Sequence, residues 1–364
     1  MMPGYPYLLA LIFKAFGTYS VSSAIVALLL DCIASALTLI PIFFMTNRHY
    51  DRKAALVAAA IYCFYPPSLW HATGRIWDTT LFTMMSLFLL NFLMTVEKTW
   101  TLNTAMLAGF FFGIVAIFKV IILALYPFVL IQILLQKSMV LKARLQQIGL
   151  LTLMIILILS PWIWRNYLVF GRPLLRSNFD LELKLGNNSG SETYMQIHGR
   201  GKIEMYHPII KKEELEKYRK MGELAYTASA GNEALAYIRT HPYDFVQLTI
   251  QRILYFWVRD LDLSKGLDGH FGIRSKKSAF TTIIYILPLP FMLLGIVIAL
   301  RGQRPVGVLI SYLILFPMVY YITHVRQRYR FPVEPVMLIF SAGGLAASVK
   351  FLFRGGQRKP ALRV

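Results

Sequence analysis

Three arginines lie close together in one short polar joint, at positions Arg326, Arg328 and Arg330. The joint, residues 323–332, separates two apolar stretches that are long enough to approach or cross a lipid bilayer. A guanidinium group stays charged and can bind two phosphate oxygens at once. The spacing therefore indicates an anion site at a membrane surface, where the phosphate of a lipid-linked molecule is the most available anion. The alternative interpretation is that the three side chains snorkel toward lipid headgroups.

Two further cations stand at the ends of apolar stretches. Lys119 interrupts two short apolar segments, and Arg165 ends another one beside Trp162, Trp164 and Tyr167. We expect both cations to reach the same membrane face as the arginine joint and to contact a phosphate there. For Arg165 the alternative is an interfacial aromatic belt that contains a snorkelling arginine.

Acidic residues that could activate a hydroxyl group are rare in the apolar parts of the chain. Asp78 lies near His71 and Arg75 and could act as a base or as a metal ligand. The favoured interpretation is that it caps the apolar helix that follows it, or pairs with Arg75. Asp31 falls inside an apolar stretch, at a depth near the bilayer centre, and there structural pairing is the favoured interpretation.

Metal-binding patterns are weak in this sequence. The seven histidines show no ligand spacing, and the sequence contains no zinc motif and no phosphate-cradling glycine-rich loop. Asp260 and Asp262 form a close acidic pair, for which a solvated turn is favoured over a metal site. We therefore predict no metal site and no certain cofactor, although a divalent cation is compatible with phosphate chemistry.

The composition indicates an integral membrane protein. Of the 364 residues, 57% are hydrophobic and 14% aromatic, whereas soluble domains carry roughly 45–50% apolar residues. Basic residues beside anionic lipid explain much of the formal net charge of +20. Nucleic-acid binding is not expected, since no stripe of basic and aromatic residues lies outside the apolar segments. Cys32 and Cys63 fall inside apolar stretches and are interpreted as small core residues.

Apolar stretches along the chain predict an all-α integral membrane protein, a polytopic helical bundle of about nine spans. The stretches are 20–45, 54–71, 79–96, 104–118, 120–136, 146–164, 282–300, 305–323 and 333–352. The fourth and fifth could instead form one kinked or re-entrant unit. Basic residues cluster in 47–53, 137–144, 301–304 and the C-terminal tail, which lie on one side if the spans alternate. That side should be cytoplasmic.

This topology predicts four parts and places one large loop domain on the external side. The parts are an N-terminal membrane bundle (1–164), a mainly helical external loop domain (165–281), C-terminal membrane helices (282–352) and a basic cytoplasmic tail (353–364). Within the loop domain, residues 211–240 have helical periodicity. Residues 245–258 suit a helix that lies in the membrane interface or packs against the bundle.

Five short segments carry a resemblance to a known family. They are Pro3-Gly4-Tyr5-Pro6, Tyr65-Pro66, Pro161-Trp162-Ile163-Trp164-Arg165-Asn166, Leu185-Gly186-Asn187-Asn188 and Arg328-Tyr329-Arg330-Phe331-Pro332. In this order they resemble segments of the GT-C type polyprenyl-phosphate-sugar glycosyltransferases, which include the protein O-mannosyltransferases and the lipid A aminoarabinose transferases. The resemblance extends over nearly the whole chain, and the ordered set is more specific than any single segment.

The resemblance implies transfer of a sugar from a polyprenyl-phosphate carrier to a lipid, protein or polysaccharide acceptor, at the outer face of the cytoplasmic membrane. It implies substrate-binding roles for Arg328, Arg330, Arg326, Arg165, Lys119 and Tyr5. The family's catalytic carboxylate stands upstream of the Pro-Gly-Tyr-Pro segment and is therefore expected before Met1, together with a first helix. Within the chain, Asp78 is a weak catalytic candidate. The alternative functions are a non-catalytic lipid-phosphate-binding protein of the same fold and a lipid-carrier transporter.

Overall fold

The computed structural model of the chain describes residues 2–191, 206–258 and 283–355. All regular structure in these ranges is helical, without a strand, which confirms the predicted all-α class. Asp260, Asp262 and the tail beyond residue 355 lie outside the described residues.

The helices follow one another along the chain with short connections. They are α1 (Gly4–Phe16), α2 (Val21–His49), α3 (Arg52–Phe64), α4 (Pro66–Thr73), α5 (Asp78–Val96), α6 (Leu102–Phe118), a 3₁₀ helix (Val120–Leu125), α7 (Tyr126–Leu134), α8 (Leu141–Phe170), α9 (Phe179–Gly186), α10 (Lys212–Met221), α11 (Glu223–Thr240), α12 (Pro242–Val258), α13 (Pro288–Arg301), α14 (Gly307–Ile322), α15 (Gln327–Arg330), a 3₁₀ turn (Phe331–Val333) and α16 (Glu334–Gly355).

The chain divides into two compact units. The loop unit consists of Met1–Pro3, Ile155–Tyr285 and Ile314–Arg330, and the bundle unit consists of Gly4–Met154, Ile286–Leu313 and Phe331–Val364. In the bundle unit α2 packs against α3 and α5, and α13 packs against α16. Gly295 permits the last of these contacts, because a Cβ there would overlap the carbonyl oxygen of Phe340.

Within the described residues, five helical segments are long and apolar enough to cross a membrane, so the chain is a multi-pass membrane protein. They are Val21–His49, Asp78–Val96, Leu141–Phe170, Ile283–Arg301 and Arg328–Phe353; four shorter apolar helices accompany them, Gly4–Phe16, Leu102–Phe118, Val120–Leu134 and Gly307–Ile322. The predicted stretch 54–71 is divided between α3 and α4, because the extended Tyr65 precedes Pro66. The expectation that Cys63 lies in the core was wrong, since its side chain is exposed.

The loop unit has a small core of its own. Leu181, Leu185 and Tyr226 are buried together. Beside them the ammonium group of Lys184 lies 2.9 Å from Glu233 and 3.4 Å from Glu214. The predicted helix 211–240 is divided into α10 and α11 at Gly222, whose φ of +77° favours glycine.

Candidate functional site

The arginines of the joint have different surroundings. Arg330 is 1% exposed and donates hydrogen bonds to the main-chain carbonyls of Trp257 and Tyr285. Its guanidinium also lies 4.5 Å from the centroid of the Tyr285 ring. These contacts are those of a residue that anchors the joint, and the assignment of Arg330 as a phosphate ligand stays a prediction. Arg326 and Arg328 are only partly buried.

Arg326 and Arg328 face a carboxylate, Glu182 of α9, together with Arg176, which precedes the helix. The charges of all three arginines act on Glu182 and favour its ionised form, although burial has the larger effect and raises the pKa of this carboxyl above its usual range. We call Arg176, Arg326 and Arg328 the arginine cluster.

The direct contacts of the Glu182 carboxylate within the described residues are with neutral groups. Asn178 donates a hydrogen bond of 3.0 Å to Oε1, and Nε2 of His324 lies 3.5 Å from Oε2. Burial, with help from the charge of Arg326, lowers the pKa of His324 to about 3. The imidazole is therefore uncharged at neutral pH, and the cations that balance Glu182 are arginines.

A buried arginine fixes α9 to the joint and so determines where Glu182 lies. Arg252 of α12 is 0% exposed; it donates hydrogen bonds to the carbonyl of Gly186 and, at 3.2 Å, to the side-chain oxygen of Asn187. Asn187 in turn donates 2.9 Å to the carbonyl of Ile322. A Cβ at Gly186 would overlap the carbonyl oxygen of Thr323, so only glycine allows this close approach.

The end of α8 brings Arg176 to the cluster. Trp162 donates a hydrogen bond of 3.0 Å from its indole nitrogen to the carbonyl of Leu175, and Asn166 donates one of 2.8 Å to the carbonyl of Leu174. The chain after α8 is thereby folded back along the helix, and Arg176 directly follows the bonded segment. This gives the Pro-Trp-Ile-Trp-Arg-Asn segment a structural role.

Arg165 lies within α8 and is exposed. Its guanidinium lies 5.0 Å from the Trp162 ring centroid and 5.8 Å from that of Phe170, and it donates a 2.9 Å hydrogen bond to Asn166. This environment suits an aromatic belt with a snorkelling arginine. A phosphate contact for Arg165 stays a prediction.

In the bundle unit, Asp78 and Lys119 form an ion pair of 3.0 Å. Lys119 also donates a hydrogen bond of 3.1 Å to the Thr79 hydroxyl. The expectation that Asp78 caps α5 or pairs with Arg75 was wrong: Trp77 occupies the cap position, and Arg75 stacks on the Trp77 ring at 4.6 Å. The two residues that the sequence singled out separately thus belong to one polar cluster.

Asp31 and Tyr5 complete this polar cluster. Asp31 is 1% exposed. Its carboxylate lies beside the main-chain N–H of Trp77, and the negative charge of Asp78 acts on it. The charges of both aspartates act on the hydroxyl group of Tyr5. The structure therefore places Asp31 near the start of α5, in contrast to the expected position near the bilayer centre and to the expected structural pairing. Among the described residues, no side chain hydrogen-bonds to its carboxylate.

Sequence reasoning missed Arg176 and Glu182. Neither belongs to a spaced pattern, although Glu182 stands three residues before the Leu185-Gly186-Asn187-Asn188 segment. Within residues 2–191, 206–258 and 283–355, no three His, Cys, Asp or Glu side chains lie close enough together to hold a metal ion. Participation of a divalent cation stays a prediction.

Comparisons with known proteins agree with this architecture. A family model described as dolichyl-phosphate-mannose-protein mannosyltransferase matches residues 2–164, and no curated protein matches the chain. The fold is similar to that of the archaeal oligosaccharyltransferase AglB from Archaeoglobus fulgidus, solved with an inhibitory peptide and a dolichol-phosphate. The TM-score is 0.50 at 12% identity, over 100% of this chain and 44% of that one.

A second structure of the A. fulgidus oligosaccharyltransferase, in complex with Zn and sulfate, matches with a TM-score of 0.50 and 12% identity, over 97% of this chain and 41% of that one. The chain thus spans less than half the length of each solved structure. The family match and the fold confirm the resemblance to GT-C type glycosyltransferases that the ordered segments indicated.

Proposed function

We propose that this chain, which resembles the GT-C type glycosyltransferases in family match and in fold, binds the phosphate of a polyprenyl-linked sugar at the arginine cluster and serves in transfer of that sugar. The observation that carries the proposal is the convergence of Arg176 with Arg326 and Arg328 on a partly exposed surface of the loop unit. Guanidinium groups bind phosphate through paired hydrogen bonds. A polyprenyl carrier is embedded in the membrane, so its phosphate is a ligand that a membrane protein can reach.

The transfer chemistry explains what such a cluster would do. The oxygen of the acceptor hydroxyl forms a bond to the anomeric carbon of the sugar. The bond from that carbon to the phosphate oxygen breaks, and its electron pair stays on the leaving polyprenyl phosphate. Fixed cations at this phosphate stabilise the charge as it develops. The proton of the acceptor hydroxyl passes to a carboxylate that acts as a general base.

The membrane side and the acceptor belong to the same proposal. The arginine cluster and the loop unit face the outside of the cytoplasmic membrane, and the basic joints 47–53, 137–144 and 301–304 face the cytoplasm. The acceptor is a hydroxyl-bearing lipid, protein or polysaccharide. In the bundle unit Lys119 pairs with Asp78, and a phosphate contact for Lys119 and a role as the base for Asp78 belong to the proposal.

Binding of farnesyl phosphate to the purified protein in detergent tests the proposal. Arg326→Ala and Arg328→Ala should each weaken binding about tenfold or more, since a charge-assisted hydrogen bond contributes roughly 1.5–3 kcal/mol. Arg176→Ala should weaken it less, because its side chain is exposed. The exposed Arg219 of α10 supplies the control, and Arg219→Ala should bind as the parent does. Parent-like affinity in both Arg326→Ala and Arg328→Ala refutes the proposal.

A further inference from the structure

Glu182 is an acidic residue within the site proposed for an anion. It lies on α9, which Arg252 and Gly186 hold against the joint, so the main chain that carries Glu182 is fixed beside the arginine cluster. The charges of the three arginines act on it, and among the described residues it contacts Asn178 and His324. A phosphate bound by the same arginines would lie within the electrostatic reach of Glu182.

The repulsion between Glu182 and a bound phosphate depends on the charge of that phosphate. A lipid-linked sugar phosphate is a diester with one negative charge. After sugar transfer the carrier is a phosphomonoester, which carries about −1.5 to −2 charges at pH 7 because its second pKa is about 6. By Coulomb's law the carboxylate therefore opposes the product about twice as strongly as the donor. The arginines alone would have the opposite effect and would hold the product more tightly.

We propose that Glu182 is a specificity-determining residue of the arginine cluster, which lowers the affinity for the phosphomonoester product more than for the phosphodiester donor and so promotes release of the spent carrier. This inference rests on the proposed function. The group that Glu182 discriminates against is a dianionic lipid phosphomonoester, irrespective of the length of its chain. Its action is electrostatic, so it requires the charge of the side chain and not its ability to hydrogen-bond.

Binding of two lipids to the purified protein, at one salt concentration and pH 7.5, tests this role. Farnesyl phosphate represents the monoester, and a methyl farnesyl phosphate diester represents the donor. Glu182→Gln removes the charge and keeps the shape of the side chain. We expect it to tighten diester binding about fivefold and monoester binding about 25-fold, which corresponds to roughly 1 kcal/mol per unit of ligand charge for a screened pair.

Two variants separate charge from structural damage. Glu182→Asp keeps the charge and should retain the parent ratio of monoester to diester affinity. Glu216→Gln removes an exposed charge on α10 and should leave both affinities unchanged. If Glu182→Gln folds poorly, Glu182→Ala removes the same charge and should change the ratio in the same direction.

Equal effects of Glu182→Gln on the two lipids, or no effect on either, overturn the inference. A failure of the proposed function would give a different result: Arg326→Ala and Arg328→Ala would bind both lipids as the parent does. Loss of binding in the arginine variants, together with an unchanged ratio in Glu182→Gln, would leave the phosphate site in place and remove the role of Glu182. Where turnover can be followed, added farnesyl phosphate should inhibit Glu182→Gln more strongly than the parent.

Discussion

At the residue scale, the buried Asp31 of α2 lies at the start of another helix, α5, which has no side-chain cap of its own. The first turn of an α-helix has backbone N–H groups without partners inside the helix, and Trp77, the cap residue of α5, makes no side-chain capping bond to them. The buried carboxylate of Asp31 lies beside the N–H of Trp77, where the helix dipole favours a negative charge. A carboxylate from α2 therefore lies at the start of α5, where it can interact with the positive end of the helix dipole.

This role predicts an order of stabilities for two substitutions. Asp31→Leu should destabilise the protein by about 1–2 kcal/mol, because the positive end of the α5 dipole loses a buried negative charge beside it. Asp31→Asn keeps a polar oxygen beside the N–H of Trp77 and should cost about half as much. Thermal unfolding in detergent measures both changes. A Leu variant more stable than the parent would contradict this role. It would show that Asp31 is a buried charge without a favourable interaction, whose removal stabilises the protein.

At the element scale, the apolar pattern predicted helices well where no residue interrupted it. The predicted stretch 79–96 is α5 (Asp78–Val96), and the predicted stretch 245–258 lies within α12 (Pro242–Val258). The predictions of a single helix for 54–71 and for 211–240 were wrong, at Pro66 and at Gly222. Proline at the start of a helix and glycine after its end are local signals that apolar periodicity does not weigh.

Gly186 shows how one element is joined to another. Because a Cβ there would overlap the Thr323 carbonyl oxygen, Gly186→Ala should push α9 from the joint and lower stability by about 1–3 kcal/mol. Gly149, within α8, is the matched control, since a Cβ there meets nothing within 4 Å. Gly149→Ala should leave stability unchanged or raise it by up to about 1 kcal/mol. Equal unfolding temperatures for the two variants would show that α9 is not held this way.

At the scale of the whole molecule, the sequence identified two of the three residues of the arginine cluster but neither Arg176 nor the neighbouring Glu182. Arg326 and Arg328 form a spaced pattern within a short joint, but Arg176 and Glu182 stand about 150 residues earlier in the chain. Their approach depends on the hydrogen bonds of Trp162, Arg252 and neighbouring residues to main-chain carbonyls. Such bonds follow from tertiary packing, and no composition or periodicity reports them.

The distribution of basic residues predicts which side of the membrane each part faces. In a background with Cys32→Ala and Cys63→Ala, Ala225→Cys on α11 and Ser138→Cys before α8 introduce one exposed thiol each. Because basic joints such as 137–144 favour the cytoplasm, a membrane-impermeant maleimide should label Ala225→Cys in intact cells and Ser138→Cys only after permeabilisation. The reverse pattern would place the arginine cluster in the cytoplasm, where an outward-facing lipid-linked sugar cannot reach it, and would exclude the proposed site of transfer.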